Sequence, residues 1–277
     1  MDEDILELYP NPGRKHRLTG LYLDQLLVST ASSGKRSFIY SNFISSLDGR
    51  IAVPGPRRSS HQVPPAIANP WDWRLFQELA AHADLIITSA RYFRQLCDDE
   101  AQAELPIGSA PEFDDLRDWR SAHGLSPQPD IAVFSASLDI PATALNQYRD
   151  RKIFLITGAA ADAEKLAAIK ASSSVQVISC GNGADVDAST LRDKLAEYGY
   201  QRVYAIAGPS VLHTLLQGEA LDRLYHTTAH CLLGGTEFDT FLSGTELNPP
   251  VSMPLQAMYL DTRAPEGAGQ TLAVYGQ

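Results

Sequence analysis

The chain is poor in cysteine. Cys97, Cys180 and Cys231 lie far apart with no C-x-x-C spacing, which excludes a disulfide framework and a zinc ribbon and fits idle thiols in a reducing compartment. No apolar run approaches the ~20 residues needed to cross a bilayer. The acidic start, Met1 to Asp4, is followed by no apolar signal segment, so a cytoplasmic protein without a membrane partner is expected. Positive charge is also short, with 23 lysines and arginines against 33 aspartates and glutamates and a net charge of −10. That balance argues against a nucleic-acid partner, whose phosphates need clustered cations. It leaves room for a small anion, which two or three placed basic groups can hold. His226 and His230 are four apart on an expected strand, hence ~13 Å from each other, and no metal site is expected.

What is present reads as an ordinary globular chain of 277 residues, 44 % hydrophobic and 20 % charged. Short segments rich in β-branched and aromatic residues fall at 37–44, 85–87, 131–134, 152–157, 175–178 and 202–206. Helical spacing of apolar residues marks 71–82, 161–171, 188–198 and 209–217. Pro209 suits a first helical position, where its missing N–H has no intrahelical partner. The polar, proline-bearing stretch 98–128 predicts an irregular surface excursion. This alternation predicts an α/β fold, a single domain with a mixed, mostly parallel sheet flanked by helices. The helix-poor end, with strands at 221–231, 255–260 and 270–275, is expected to add antiparallel strands at one edge. Residues 37–277 form this domain in our reading. Residues 1–36 are an N-terminal appendage whose amphipathic stretch 18–28 packs on the body as a helix.

Ligands of open α/β sheets bind beyond the carboxyl ends of the parallel strands, where helix N-termini offer free N–H groups. Three segments have that placement: 45–50, 88–92 and 207–210. They predict a cleft lined by Asp48, Ser89, Arg91, Gly208 and Ser210. Asp48 either orients a substrate and assists proton delivery or simply forms an Asp-Gly turn. The run Arg57-Arg58-Ser59-Ser60-His61 either holds a substrate phosphate or is a solvated loop. No nucleophile–base pair is visible, as expected where a cofactor carries the chemistry.

Several of these pieces occur together in a known family. The order Ser46-Leu47-Asp48-Gly49-Arg50-Ile51-Ala52 after a strand, the helix and strand of 71–87, Gly208-Pro209-Ser210 with Leu212, and Leu221-Asp222-Arg223-Leu224 with Leu232-Leu233-Gly234-Gly235 resemble the pyrimidine reductase of riboflavin biosynthesis. The resemblance runs in order from Phe38 to Gly235, and Leu8-Tyr9-Pro10 looks like the opening of the stand-alone form. It implies a dihydrofolate-reductase-like fold, NADPH as cofactor, a phosphorylated heterocycle (5-amino-6-(5-phosphoribosylamino)uracil) as substrate, and a homodimer. By the same resemblance Asp48 is catalytic. Ser89, Gly208, Ser210, Val211 and Gly234 are then expected to bind the cofactor, and Asn42, Ser46, Arg58 and Ser59 the substrate, while Arg91 either contacts the cofactor 2′-phosphate or fills the pocket that a family glycine leaves empty. Two loops depart from the family pattern. A Gly-Ala-Gly-Thr turn is replaced by Ser89-Ala90-Arg91-Tyr92, and Glu-Gly-Gly-Pro by Ile206-Ala207-Gly208-Pro209. Two other readings therefore stay open: a non-catalytic or regulatory nucleotide-binding homologue, and a reductase of another heterocycle such as a pterin.

Overall fold

The computed structural model describes residues 4–23, 25, 36–55, 61–101, 103–265 and 267–276. Strands β1 (Asp4–Tyr9) and β2 (Lys15–Arg17) form a hairpin, followed by β3 (Phe38–Ser46) and a small ribbon of β4 (Val53–Pro54) and β5 (His61–Gln62). Helix α1 (Pro70–His82) leads to β6 (Leu85–Ser89), α2 (Ala90–Cys97), α3 (Asp114–Ala122) and β7 (Asp130–Phe134). Next come α4 (Ala142–Leu145), β8 (Ile153–Thr157), α5 (Ala163–Ser172), β9 (Val175–Ser179) and α6 (Leu191–Glu197). Then β10 (Arg202–Ala205), α7 (Pro209–Gln217), β11 (Arg223–Ala229), β12 (Leu255–Asp261) and β13 (Gln270–Gly276) complete the chain.

Eleven of these strands form one sheet in the order β2-β1-β12-β13-β11-β3-β10-β6-β7-β8-β9. From β11 to β9 all neighbours are parallel, and β13, β12 and β1 continue antiparallel. The expected mixed, mostly parallel sheet is what the chain forms. One strand differs in direction: β11 runs parallel to β3, because α7 first carries the chain back across the sheet. The segment 1–36 contributes β1 and β2 to the sheet edge. Its Leu18, Leu21 and Tyr22 are buried in the core, and residues 24 and 26–28 of its expected helix lie outside the described residues. The excursion at 98–128 is more ordered than expected, since it contains α3 with Leu116 buried.

Both faces of the parallel strands are covered, which explains their near-continuous apolar runs. Ile86 faces Leu75 and Leu79 of α1, while Leu85 and Ile87 face the opposite core with Leu212 and Leu215 of α7. Side chains one residue apart point to opposite faces of a strand, so the run needs apolar residues at every position. The N-terminal edge of the sheet is held by carboxylates. Asp84 accepts the N–H groups of Gln201 and Arg202 at 2.9 and 3.0 Å, and Asp222 accepts that of Ile39 at 2.7 Å. None of the helices among the described residues is long and apolar enough to cross a membrane.

Helix α1 is capped at both ends. Asn69 Oδ1 accepts the Asp72 N–H at 3.0 Å, the usual service of an N-cap side chain. At the other end the fully buried Arg120 of α3 donates to the carbonyls of Ala81 and Ala83 at 2.9 and 2.5 Å and to that of Ser126 at 2.7 Å. A guanidinium there answers the unpaired carbonyls and the negative end of the helix dipole. Burial lowers its pKa to about 10, so it stays charged at neutral pH. Replacing it leaves several buried carbonyls without a donor. Arg120→Met should lower the unfolding free energy by about 3 kcal/mol in urea denaturation. Arg36→Ala, at an exposed ion pair with Asp193, should cost less than about 1 kcal/mol.

Candidate active site

Strand order creates the site. The chain runs from β3 through α1 to β6, continues outward to β9, then returns to insert β10 between β3 and β6. Beyond the carboxyl ends of these strands lies the switch point at which open α/β sheets bind ligands. A groove opens there from two joined cavities of about 330 and 500 Å3, which share Phe76, Ile206, Ala207 and Gly208.

The first lobe is lined by Ser89, Arg91, Tyr92, Gly208 and Pro209. Helices α2 and α7 start beside it, because β6 and β10 are neighbours in the sheet. Their N-caps, Ser89 and Gly208, make no side-chain capping bond; at α7 the Val211 and Leu212 N–H groups close on the Gly208 carbonyl at 3.0 and 3.3 Å, which leaves the Ser210 N–H as the first-turn donor for an anion. A Cβ at Gly208 would meet nothing within 4 Å, so the backbone there is open to close approach. Arg91 is exposed and has no hydrogen-bond or ion-pair partner among the described residues. Tyr92 is fixed as a wall: its hydroxyl pairs with that of Tyr148 at 2.7 Å and lies 3.3 Å from the Ala103 carbonyl.

The second lobe is apolar and aromatic. Trp73 and Phe76 stack with centroids 5.0 Å apart and line it with Asn42, Ile44 and Ile206. Asn42 Oδ1 accepts a hydrogen bond from the Tyr204 hydroxyl. Asp72, in the first turn of α1, also lines this lobe. Its carboxyl accepts a hydrogen bond from the Thr227 hydroxyl of β11, yet burial pushes its pKa up to about 6, as desolvation does to a carboxylate.

Asp48 has the opposite environment. It accepts from the Ser46 hydroxyl and from the N–H groups of Leu233 and Gly234 at 3.3 and 2.9 Å, and it pairs with Arg50 at 2.5 Å. Led by the Ser46 hydrogen bond, these contacts hold its pKa down at about 2. An acceptor-only group with four partners cannot donate a proton at neutral pH. Its geometry is that of a clamp between the β3 turn and residues 233–234. Arg50 extends the clamp to the Gly235 carbonyl at 2.9 Å and lies 4.2 Å from the Phe238 ring centroid.

The sequence-predicted residues thus fall into groups. Ser89, Arg91, Gly208 and Asn42 line the groove, and Ser210 and Val211 lie in the adjoining first turn of α7. Ser46, Asp48 and Gly234 form the clamp on the same strand-end edge without lining the groove, which Ile51 and Ala52 reach instead. Arg58 and Ser59 lie outside the described residues. His226 bonds Ser45 and His230 bonds Thr271, and no metal-binding group of three ligands occurs among the described residues. Asp72 went unread in the sequence. An acid in a first helical turn ordinarily just complements the dipole, and Thr227 is remote in the chain.

Residues 37–260 match the family described as the RibD C-terminal domain. The chain belongs to this family. Among solved structures, a pyrimidine reductase-like protein from Corynebacterium diphtheriae superposes with a TM-score of 0.64 at 17 % identity, covering 94 % of this chain and 98 % of that one. The riboflavin biosynthesis reductase Rib7 of Saccharomyces cerevisiae gives 0.56 at 17 %, covering 93 % and 98 %. RibD of Acinetobacter baumannii gives 0.56 at 18 %, covering 90 % of this chain and 60 % of that one. At such identities these likenesses establish the fold. No curated protein matches the chain in sequence. The resemblance read from the sequence is borne out at the level of the RibD C-terminal family.

The two aspartates give a direct check. A carboxyl NMR titration should place Asp72 at a midpoint of about 6 and Asp48 at about 2. An Asp72 midpoint in the ordinary range near 4 would contradict the described environment.

Proposed function

We propose that the chain is an NADPH-dependent reductase of 5-amino-6-(5-phosphoribosylamino)uracil, acting in the cytoplasm as a homodimer. RibD C-terminal family membership supports the reaction class. One observation carries the cofactor reading: two helix starts without side-chain caps and an unpartnered Arg91 face one groove that continues into an aromatic lobe. Dinucleotide phosphates suit the Ser210 N–H and hydroxyl, since Pro209 has no N–H to give and that of Val211 is bonded to the Gly208 carbonyl. The Ser89 hydroxyl adds a donor from the end of β6, and Arg91, where the family's loop has glycine, supplies a charge to the 2′-phosphate. The aromatic lobe fits flat rings by stacking and by excluding water. A dihydronicotinamide supplies a hydride there, the chemistry needed to reduce the imine of a ring-opened sugar.

The chain's own work is then binding and orientation. Asn42, with its carbonyl oxygen engaged by Tyr204, offers its amide N–H groups to a ring carbonyl. Arg58 and Ser59 take the substrate phosphate. Through Asp48, Ser46 and Gly234 hold the wall of the site in place.

Purified protein should oxidise NADPH when given this aminouracil, and its gene should rescue a riboflavin auxotroph. Binding of neither NADPH nor NADH below millimolar would favour the non-catalytic reading. NADPH-dependent turnover without rescue would favour another heterocycle. Arg91→Ala should weaken NADPH by roughly ten- to a hundred-fold, the loss of one charge-assisted bond, with much less effect on NADH, in a fluorescence titration. Tighter cofactor binding by Arg91→Ala would make the arginine a plug.

A further inference from the structure

The aromatic lobe contains one carboxyl that orientation and phosphate binding do not use. Asp72 lines it from the first turn of α1, together with Trp73 and Phe76 of its own helix and Asn42 and Ile44 of β3. From β11 the Thr227 hydroxyl donates to the carboxyl, while the backbone N–H of Asp72 is spent on Asn69. The titratable groups whose charges couple to it are the phenols of Tyr22 and Tyr204, both kept neutral by burial. Around it, β3 and residues 63–69 contribute Phe43, Val63, Ala68 and Asn69 to the lobe, none of them ionisable. No cation contributes to its ionisation, in contrast to Asp48 with Arg50.

We propose that Asp72 is the acid of the reaction, giving the proton of its neutral form to the heteroatom of the substrate's C=N or C=O bond. This rests on the reductase reading. The hydride brings the electron pair and one hydrogen to carbon. As it does, the Asp72 O–H bond breaks, its electrons stay on the carboxylate, and an N–H or O–H bond forms. One dihydronicotinamide is oxidised, one double bond is reduced by two electrons, and water returns the proton to Asp72. An acid working near neutral pH needs a pKa near the working range. With a midpoint of about 6, roughly a tenth of Asp72 is protonated at pH 7. Thr227 is a positioning residue for this carboxyl.

The test compares wild type with Asp72→Asn, a change of nearly equal shape that keeps an acceptor for Thr227. In single turnovers of 5-amino-6-(5-phosphoribosylamino)uracil with NADPH, the wild-type rate should fall about tenfold per pH unit above pH 6. The variant should be slower by roughly 10²- to 10⁴-fold at pH 6 and flat with pH, with its NADPH Kd unchanged within about twofold. A second readout needs no turnover. Because the folded-state pKa of Asp72 is raised, wild-type stability should drop as pH rises from about 4 to about 6 and stay lower above. Asp72→Asn should therefore raise Tm by about 5 °C at pH 8 and by little at pH 4. A variant with the wild-type rate and pH profile overturns the inference and leaves the reductase reading intact. A variant no more stable than wild type at pH 8 overturns it as well. Failure of NADPH to bind the wild-type protein overturns both.

Discussion

The pairing of β10 with both β3 and β6 is the contact on which the rest depends. Residues 202–205 are synthesised long after the strands they separate, and they pair parallel to each, with Tyr204 opposite Tyr40 and Ile86. The Tyr40 and Tyr204 rings stack at 5.1 Å on the α1 side. Long-range parallel pairing must overcome a large loop entropy before it gains anything. Carboxylates help by gripping strand-start N–H groups, Asp84 at residues 201–202 and Asp222 at Ile39. The opposite edge shows the reverse economy. Two helices begin there without side-chain caps, and a groove lies between them. One edge holds the sheet together, and the other carries the groove.

Two aspartates at that edge show how surroundings divide one chemistry into two roles. Asp48 sits among four donors and remains charged, so it fastens a turn to residues 233–234. Asp72 sits among rings and amides with one hydroxyl for company, and burial shifts it toward the neutral form. The more recognisable motif carries the structural part, and a residue outside any motif carries the raised pKa. Charge pairing lowers a carboxyl's pKa and desolvation raises it, so the neighbours decide which aspartate can handle a proton.

Much of the fold was legible because coverage of both sheet faces leaves apolar runs at 85–87, 131–134 and 153–156 that sequence reading detects. Helix α3 was not, since its firmest buried contact is Arg120, a residue type that ordinarily marks the surface. The direction of β11 was hidden in the crossing of α7, a property of the path and not of residues 223–229. In the groove, Ser89, Arg91 and Gly208 were found by position alone, each at the end of a strand or the start of a helix. Asp72 escaped because its environment is assembled from α1, β3 and β11, which meet only in three dimensions. Asp48 was legible as a motif residue, but its four partners include N–H groups at residues 233 and 234 that spacing does not reveal.

Backbone hydrogen exchange with and without NADPH tests the central claim, that the adjoining starts of α2 and α7 hold a dinucleotide. The account predicts slower exchange, at saturating cofactor, for the amides of Ala90, Arg91, Tyr92 and Ser210, with the N-terminal edge near Ile39 and Arg202 unchanged. Protection confined to other parts of the chain, or none at millimolar NADPH, would contradict it.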